Sequence, residues 1–281
     1  MATTYYCDPA ATGLNDGTSW TDAWVSIASY WTAAVAGDTC KARGTQTLAA
    51  TLGAPANSGT TNLPIFVIGC NASGVADGTQ FVLDGNNAAV NIFSVAGKTA
   101  WYFENVTAKR ATGLCVLSGT TSLITFVNSK LILNGGNALS NGAGSTQGYL
   151  CIKTQLNNNL AGLGGGAGIQ GTNSFIFSEL SYNTTFGATS SASYSFYNKS
   201  LVIKNGTFGM THSGTVYRGT IDGCTIHGNG STGVSEGTGW MMILLSRITG
   251  NVTSGITWGA LSSGYYDYNF ISFIFHILLF R

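Results

Sequence analysis

FENVT at 103–107 and FVNSK at 126–130 are two copies of one short unit, in which a leading apolar residue is followed by an outward position, an Asn and the start of a second run. Further units read IKTQL at 152, FSELS at 177, IKNGT at 203, IDGCT at 221 and LLSRI at 244, so the starts recur at a nearly constant interval with one short step, from 203 to 221. Each unit alternates with the period of a strand and then enters Gly, Asn, Ser or Thr. Such a unit is too small to bury its own apolar face, and stacking the units solves that problem. A coil of this length that passes through two or three short strands and hydrogen-bonds to the next coil is the repeat of a parallel β-helix.

The third positions of the units, Asn105, Asn128, Thr154, Glu179, Asn205, Gly223 and Ser246, predict an amide ladder at a bend, because Asn accepts the left-handed conformation and stacked amides bond to one another. The second positions, Glu104, Val127, Lys153, Ser178, Lys204, Asp222 and Leu245, predict outward charges, with Lys204 and Asp222 paired on adjacent coils. Ahead of the repeats, Trp24, Ile27, Ala28, Trp31, Ala34 and Val35 fall on one face of a helix that Thr18 or Ser19 caps. That helix and the YYCDPAATGLNDGTSWTDAW stretch at 5–24 close the open end of the stack. The fold class expected is all-β, a right-handed parallel β-helix with an N-terminal capping helix. Residues 1–37 form the cap, 38–260 the β-helix, starting with the strand DTCKARGTQ at 38–46, and 261–281 an apolar end.

Only 8% of the chain is charged, against about 25% in ordinary domains. The surface is therefore built of hydroxyls and amides. A net charge of +1 without a run of Lys or Arg predicts no nucleic-acid partner. The first residues lack the features of a secretory signal. FISFIFHILLF at 270–280 is too short to span a bilayer and reads as a terminal strand or subunit contact. The six cysteines, at 7, 40, 70, 115, 151 and 224, have no metal-ligand spacing and read as small buried hydrophobes, with a Cys7–Cys40 bridge left open. Neither NDG at 15–17 nor GLGGGAG at 162–168 continues into a calcium or phosphate loop, so no metal and no cofactor is expected. Seven N-x-S/T triplets, at Asn71, Asn105, Asn183, Asn198, Asn205, Asn229 and Asn251, follow from composition alone.

The eleven carboxylates are scattered. Glu104 and Asp222 lie five coils apart, about 24 Å, too far to share one bond. The neighbour pairs to inspect are Glu179 with Asp222 and Asp222 with Glu236, together with His227; isolated surface carboxylates are the simpler reading. Tyr182, Tyr194, Tyr197, Tyr217, Trp240 and Trp258 include candidates for stacking on sugar rings, with Tyr182, Tyr197, Tyr217 and Trp240 foremost.

The 5–24 stretch followed by AGDTCKARGTQTL at 36–48 resembles the cap and first coil of right-handed parallel β-helix proteins of the pectate-lyase-like superfamily, above all the small forms encoded by bacteriophages. Those forms usually carry Val where this chain has Cys7 and Cys40. The superfamily holds polysaccharide lyases, hydrolases, tailspike depolymerases and non-catalytic virion proteins. The resemblance implies a non-catalytic structural protein of a phage virion surface, as capsid decoration or as part of a tail spike or fibre. It would be a homotrimer among other virion proteins and in contact with a surface polysaccharide. The alternative is a polysaccharide depolymerase, a lyase or glycoside hydrolase built on the same solenoid.

Overall fold

In the computed structural model, residues 2–272 are described except 90, 96, 118–122, 142–147, 166–171, 191–193, 213–217, 238–239, 259–262 and 268–269. The chain winds as a parallel β-helix with three sheets. Among the described residues, eleven strands, from Thr4–Cys7 to Ser263–Asp267, form the first sheet; ten, from Thr45–Thr47 to Phe270–Ser272, the second; and eight, from Phe93–Ser94 to Ser254–Trp258, the third. Every pairing is parallel and joins one coil to the next.

One column of the first sheet fixes the register: Phe103, Phe126, Cys151, Phe175, Tyr197, Ile221, Ile243 and Tyr266, one from each successive coil. Measured against it, IKTQL and LLSRI are one residue out of step and FSELS two, while Ile203 closes a strand of the second sheet. Lys204 and Asp222 are consequently at different corners. Asp222 pairs with Asn198 and Leu244 in the first sheet, whereas the Lys204 Nζ lies 5.3 Å from the ring of Tyr182.

Two columns of polar side chains hold the corners. Between the first and second sheets, buried Ser129, Thr154, Ser178, Ser200 and Ser246 form one column; all but Thr154 accept from backbone N–H groups of the preceding coil at 3.1–3.2 Å, as Ser178 does from Thr154 N and Ser200 from Ser178 N. An amide ladder does form, but between the second and third sheets and not in the column expected from sequence, with which it shares only Asn205. It runs Asn134, Asn159, Asn183, Asn205, Asn229 and Asn251, each buried and each Nδ2 from Asn134 to Asn229 donating to the next Oδ1 at 2.8–3.3 Å. A corner strips water from backbone carbonyls, and these amides replace it.

The interior is an aromatic and aliphatic stack. Phe103 lies 5.1 Å from both Phe93 and Phe126, and Phe175 stacks on Tyr197 at 5.3 Å. The capping helix, Ile27–Ala33, starts at Ser26, whose side chain accepts from Ala28 N; Thr18 and Ser19 belong to the preceding turn region. Its buried face is Ile27, Tyr30, Trp31 and Ala34, whereas Ala28 and Val35 face out. All six cysteines are free and buried. Cys7 pairs with Ala42 and Cys40 with Tyr5, so the two thiols are out of step by two residues. Their Cα atoms are then about 8 Å apart, beyond the about 7 Å a disulfide spans.

Candidate functional site

Each coil leaves the first sheet and later the second through one residue in the left-handed conformation. At the first corner the column is Asn105, Asn128, Lys153, Phe177, Lys199, Gly223 and Leu245; at the second it includes Arg110, Leu133, Asn158, Tyr182, Lys204, Gly228 and Gly250, all with φ between 46° and 66°. Asn and Gly take this conformation readily, whereas other L-residues lose about 1–2 kcal/mol. Over three coils the cheap residues are replaced by Lys153, Phe177, Tyr182, Lys199 and Lys204. All five side chains are exposed, with Phe177 at 52% and Tyr182 at 50%.

These residues rim the outward face of the second sheet. Lys199 Nζ lies 5.4 Å from the Phe177 ring centroid, and Lys204 Nζ donates to the Tyr182 hydroxyl at 3.3 Å. Along the first rim a cavity of about 270 Å³ is lined by Lys153, Gln155, Phe177, Glu179, Lys199 and Leu201 among others. Lys130 and Arg247 extend the face by their outward positions in the first column of the second sheet. Five of the chain's twelve basic residues thus share the stretch of this face from Lys130 to Arg247. Among its described strand positions from Lys130 to Thr249, Glu179 is the one carboxylate. The linear sequence hides this cluster because its members are spread along the chain by the coil period. Lysines at such a face donate charge-assisted bonds to carboxylates, and half-exposed rings offer a stacking surface to a sugar.

The residues expected from sequence fall in different places. Glu179 lies on this face with its Oε1 accepting from Ser181 Oγ at 2.6 Å. Asp222 ends a first-sheet strand and its Oδ2 accepts from Asn198 Nδ2 at 2.8 Å. It is two coils from Glu179 and across the corner. That is more than about 9.6 Å of backbone separation, at or beyond the widest spacing for two carboxyls on one glycosidic bond. His227 is exposed on the second-sheet face, its Nδ1 3.0 Å from the Thr249 carbonyl oxygen. Glu236 points into the solenoid, so it cannot join Asp222 at a surface cleft. Tyr182 is on the face, Tyr197 is buried against Phe175, Trp240 is 39% exposed at the start of a first-sheet strand, and Tyr217 lies outside the described residues.

Sequence reading missed His212, one coil before Glu236. Both side chains are fully buried, with Nδ1 3.6 Å from Oε2. The signal was their separation along the chain, which equals one coil. Burial pushes the His212 pKa down to about 3 from 6.5. An unfolded chain takes up the proton as pH falls below 6.5 while the folded chain refuses it, so stability falls between pH 6.5 and 3. The expected loss from pH 7 to 5 is about 2 kcal/mol. Thermal unfolding at the two pH values should show this drop in the native chain and a smaller one in His212→Gln; equal drops would contradict the assignment.

Two further cavities, of about 380 and 280 Å³, flank Arg43. Its guanidinium binds Asp8 at 2.7 Å, reaches the Ala72 carbonyl and lies 4.3 Å from the Trp20 ring centroid. These contacts tie the cap to the first coils. Among the described residues no group of three His, Cys, Asp or Glu could hold a metal ion, and no helix is long and apolar enough to cross a membrane.

The architecture is that of a pectate-lyase-like parallel β-helix. Among solved structures, the chain is similar to pectate lyase Pel9A, with a TM-score of 0.69 and 18% identity over 97% of this chain and 79% of that one. The periplasmic alginate epimerase AlgG matches with a TM-score of 0.61 and 10% identity over 83% of this chain and 60% of its own. A rhamnogalacturonan lyase matches with 0.56 and 11% over 95% and 87%. At these identities the likeness is one of fold. No protein-family model and no curated protein matches the sequence.

Proposed function

We propose that the chain is a carbohydrate-binding structural β-helix of a virion surface, a capsid decoration or a component of a tail spike or fibre. It would act as a homotrimer beside other virion proteins and engage an acidic surface polysaccharide through the second sheet. The observation that carries the glycan reading is the replacement of Asn and Gly by Lys153, Phe177, Tyr182, Lys199 and Lys204 at left-handed corner positions. Arg110, Leu133 and Leu245 also accept this strain, but over these three coils it falls on cations and exposed rings that share one face, which supports selection for what that face binds. The virion placement is supported by the resemblance of the cap and first coil to small phage-encoded β-helices.

The test is affinity electrophoresis through acidic polysaccharide. The native chain should be retarded, less so with rising salt, and the variant Lys153→Asn/Lys199→Asn/Lys204→Asn should migrate freely. The same variant should unfold at an unchanged or higher temperature, since Asn relieves about 1 kcal/mol or more of backbone strain at each corner. Equal retardation of both proteins would reject the face.

A second reading, a polysaccharide lyase, is favoured by Lys153, Lys199 and Glu179 lining one cavity. β-Elimination from a uronate needs a base beside groups that neutralise its carboxylate. Growth of ultraviolet absorbance from an unsaturated product on incubation with polyuronates would establish that reading, and its lack would leave binding alone.

A further inference from the structure

Resting on that glycan reading, we infer that the second-sheet face selects an acidic polysaccharide with one carboxylate per disaccharide over one with a carboxylate on every sugar. The order of charges along the solenoid axis carries it. Lys153 and Lys199 occupy the same corner column two coils apart. Glu179 stands on the coil between them and lines the same cavity. Read coil by coil from Lys153 to Lys199, the charges are positive, negative and positive, and Lys130, one coil before Lys153, adds a further positive charge. Lys153 and Lys199, in one column, recur after two coils, about 9.6 Å, which is the length of an extended disaccharide.

A homopolymer of uronate lying along this strip would set a carboxylate against Glu179. A polymer charged on alternate sugars avoids that repulsion. Its carboxylates meet Lys153 and Lys199, while the sugar between them offers a hydroxyl or amide donor to Glu179, whose Oε1 accepts from Ser181 Oγ and whose Oε2 is left for that purpose. The half-exposed Phe177 ring on the Glu179 coil gives the neutral sugar its stacking surface. Attraction at one position and repulsion at the next is how a surface discriminates between ligands of like net sign.

The test compares calorimetric binding of hyaluronan oligosaccharides, which alternate uronate with N-acetylhexosamine, and oligogalacturonates of the same length, at low salt. The native chain should prefer the alternating ligand by about fivefold or more, although it carries half the charge. Glu179→Lys should reverse the preference and Glu179→Gln should narrow it, with thermal unfolding confirming that both variants fold. Equal or tighter binding of oligogalacturonate by the native chain would overturn the alternation while leaving an acidic-glycan face in place. Binding of neither ligand would overturn both.

Discussion

Replacing Asn205 by Leu should lower the unfolding temperature by roughly 10 °C, a loss of about 4 kcal/mol. The Asn205 side chain is 1% exposed and occupies the middle of the amide ladder. Its Nδ2 donates to the Leu180 carbonyl and to Asn229 Oδ1, each at 3.0 Å, and its Oδ1 accepts from Asn183 N at 3.2 Å and Asn183 Nδ2 at 3.0 Å. Leucine fills the volume and makes none of these bonds. The Asn183 N–H and the Leu180 carbonyl then remain buried without those partners, which costs about 1–3 kcal/mol for each group. Adding Asn183→Leu should cost less than the first substitution, because the two share bonds. Thermal unfolding of the single and double variants decides it; a single-variant loss under about 1 kcal/mol would mean that water or a shifted corner replaces the ladder.

A comparable loss is expected from the interior. Phe103→Ala should destabilise by about 3–5 kcal/mol. The ring is fully buried and lies 5.1 Å from Phe93, 5.1 Å from Phe126, 6.0 Å from Trp31 and 6.2 Å from Trp101. Those partners come from the cap and from more than one coil, so a cavity here loosens several elements at once. They cannot collapse into the gap without breaking the strand registry that holds them. Phe103→Leu, which keeps part of the volume, should cost clearly less. Denaturant titration measures both, and equal effects would show that packing around this ring is not the determinant.

The contrast between what the sequence disclosed and what it concealed has one physical origin. Parallel stacking repeats the coil, so the period was legible and with it the fold. The register was not, because apolar residues lead strands on all three sheets and look alike. Asn served as the marker of the corner, and it fails where another residue replaces it: the misread units began at 152, 177, 203 and 244, at or beside Lys153, Phe177, Lys204 and Leu245. All of these but Leu245 belong to the candidate face. The amide ladder had left a trace in the N-x-S/T triplets at Asn183, Asn205, Asn229 and Asn251, since these four of its six Asn residues are followed two positions later by Thr185, Thr207, Ser231 and Thr253. Composition explained the triplets well enough that their recurrence once per coil carried no weight. The lysine face was illegible for the reason given by its geometry: charge counted along the chain does not register neighbours that are one coil apart.

The face itself can be tested by lysine footprinting. The native chain is acetylated with and without a saturating acidic oligosaccharide, and the rate at each lysine is read by mass spectrometry. Lys153, Lys199 and Lys204 should be slowed several-fold, while Lys41 on the first sheet and Lys98, whose Nζ bonds the Ala56 carbonyl at 2.7 Å, should react at unchanged rates. Protection spread evenly over all lysines, or centred on Lys41, would contradict the assignment of the second sheet as the glycan-binding face.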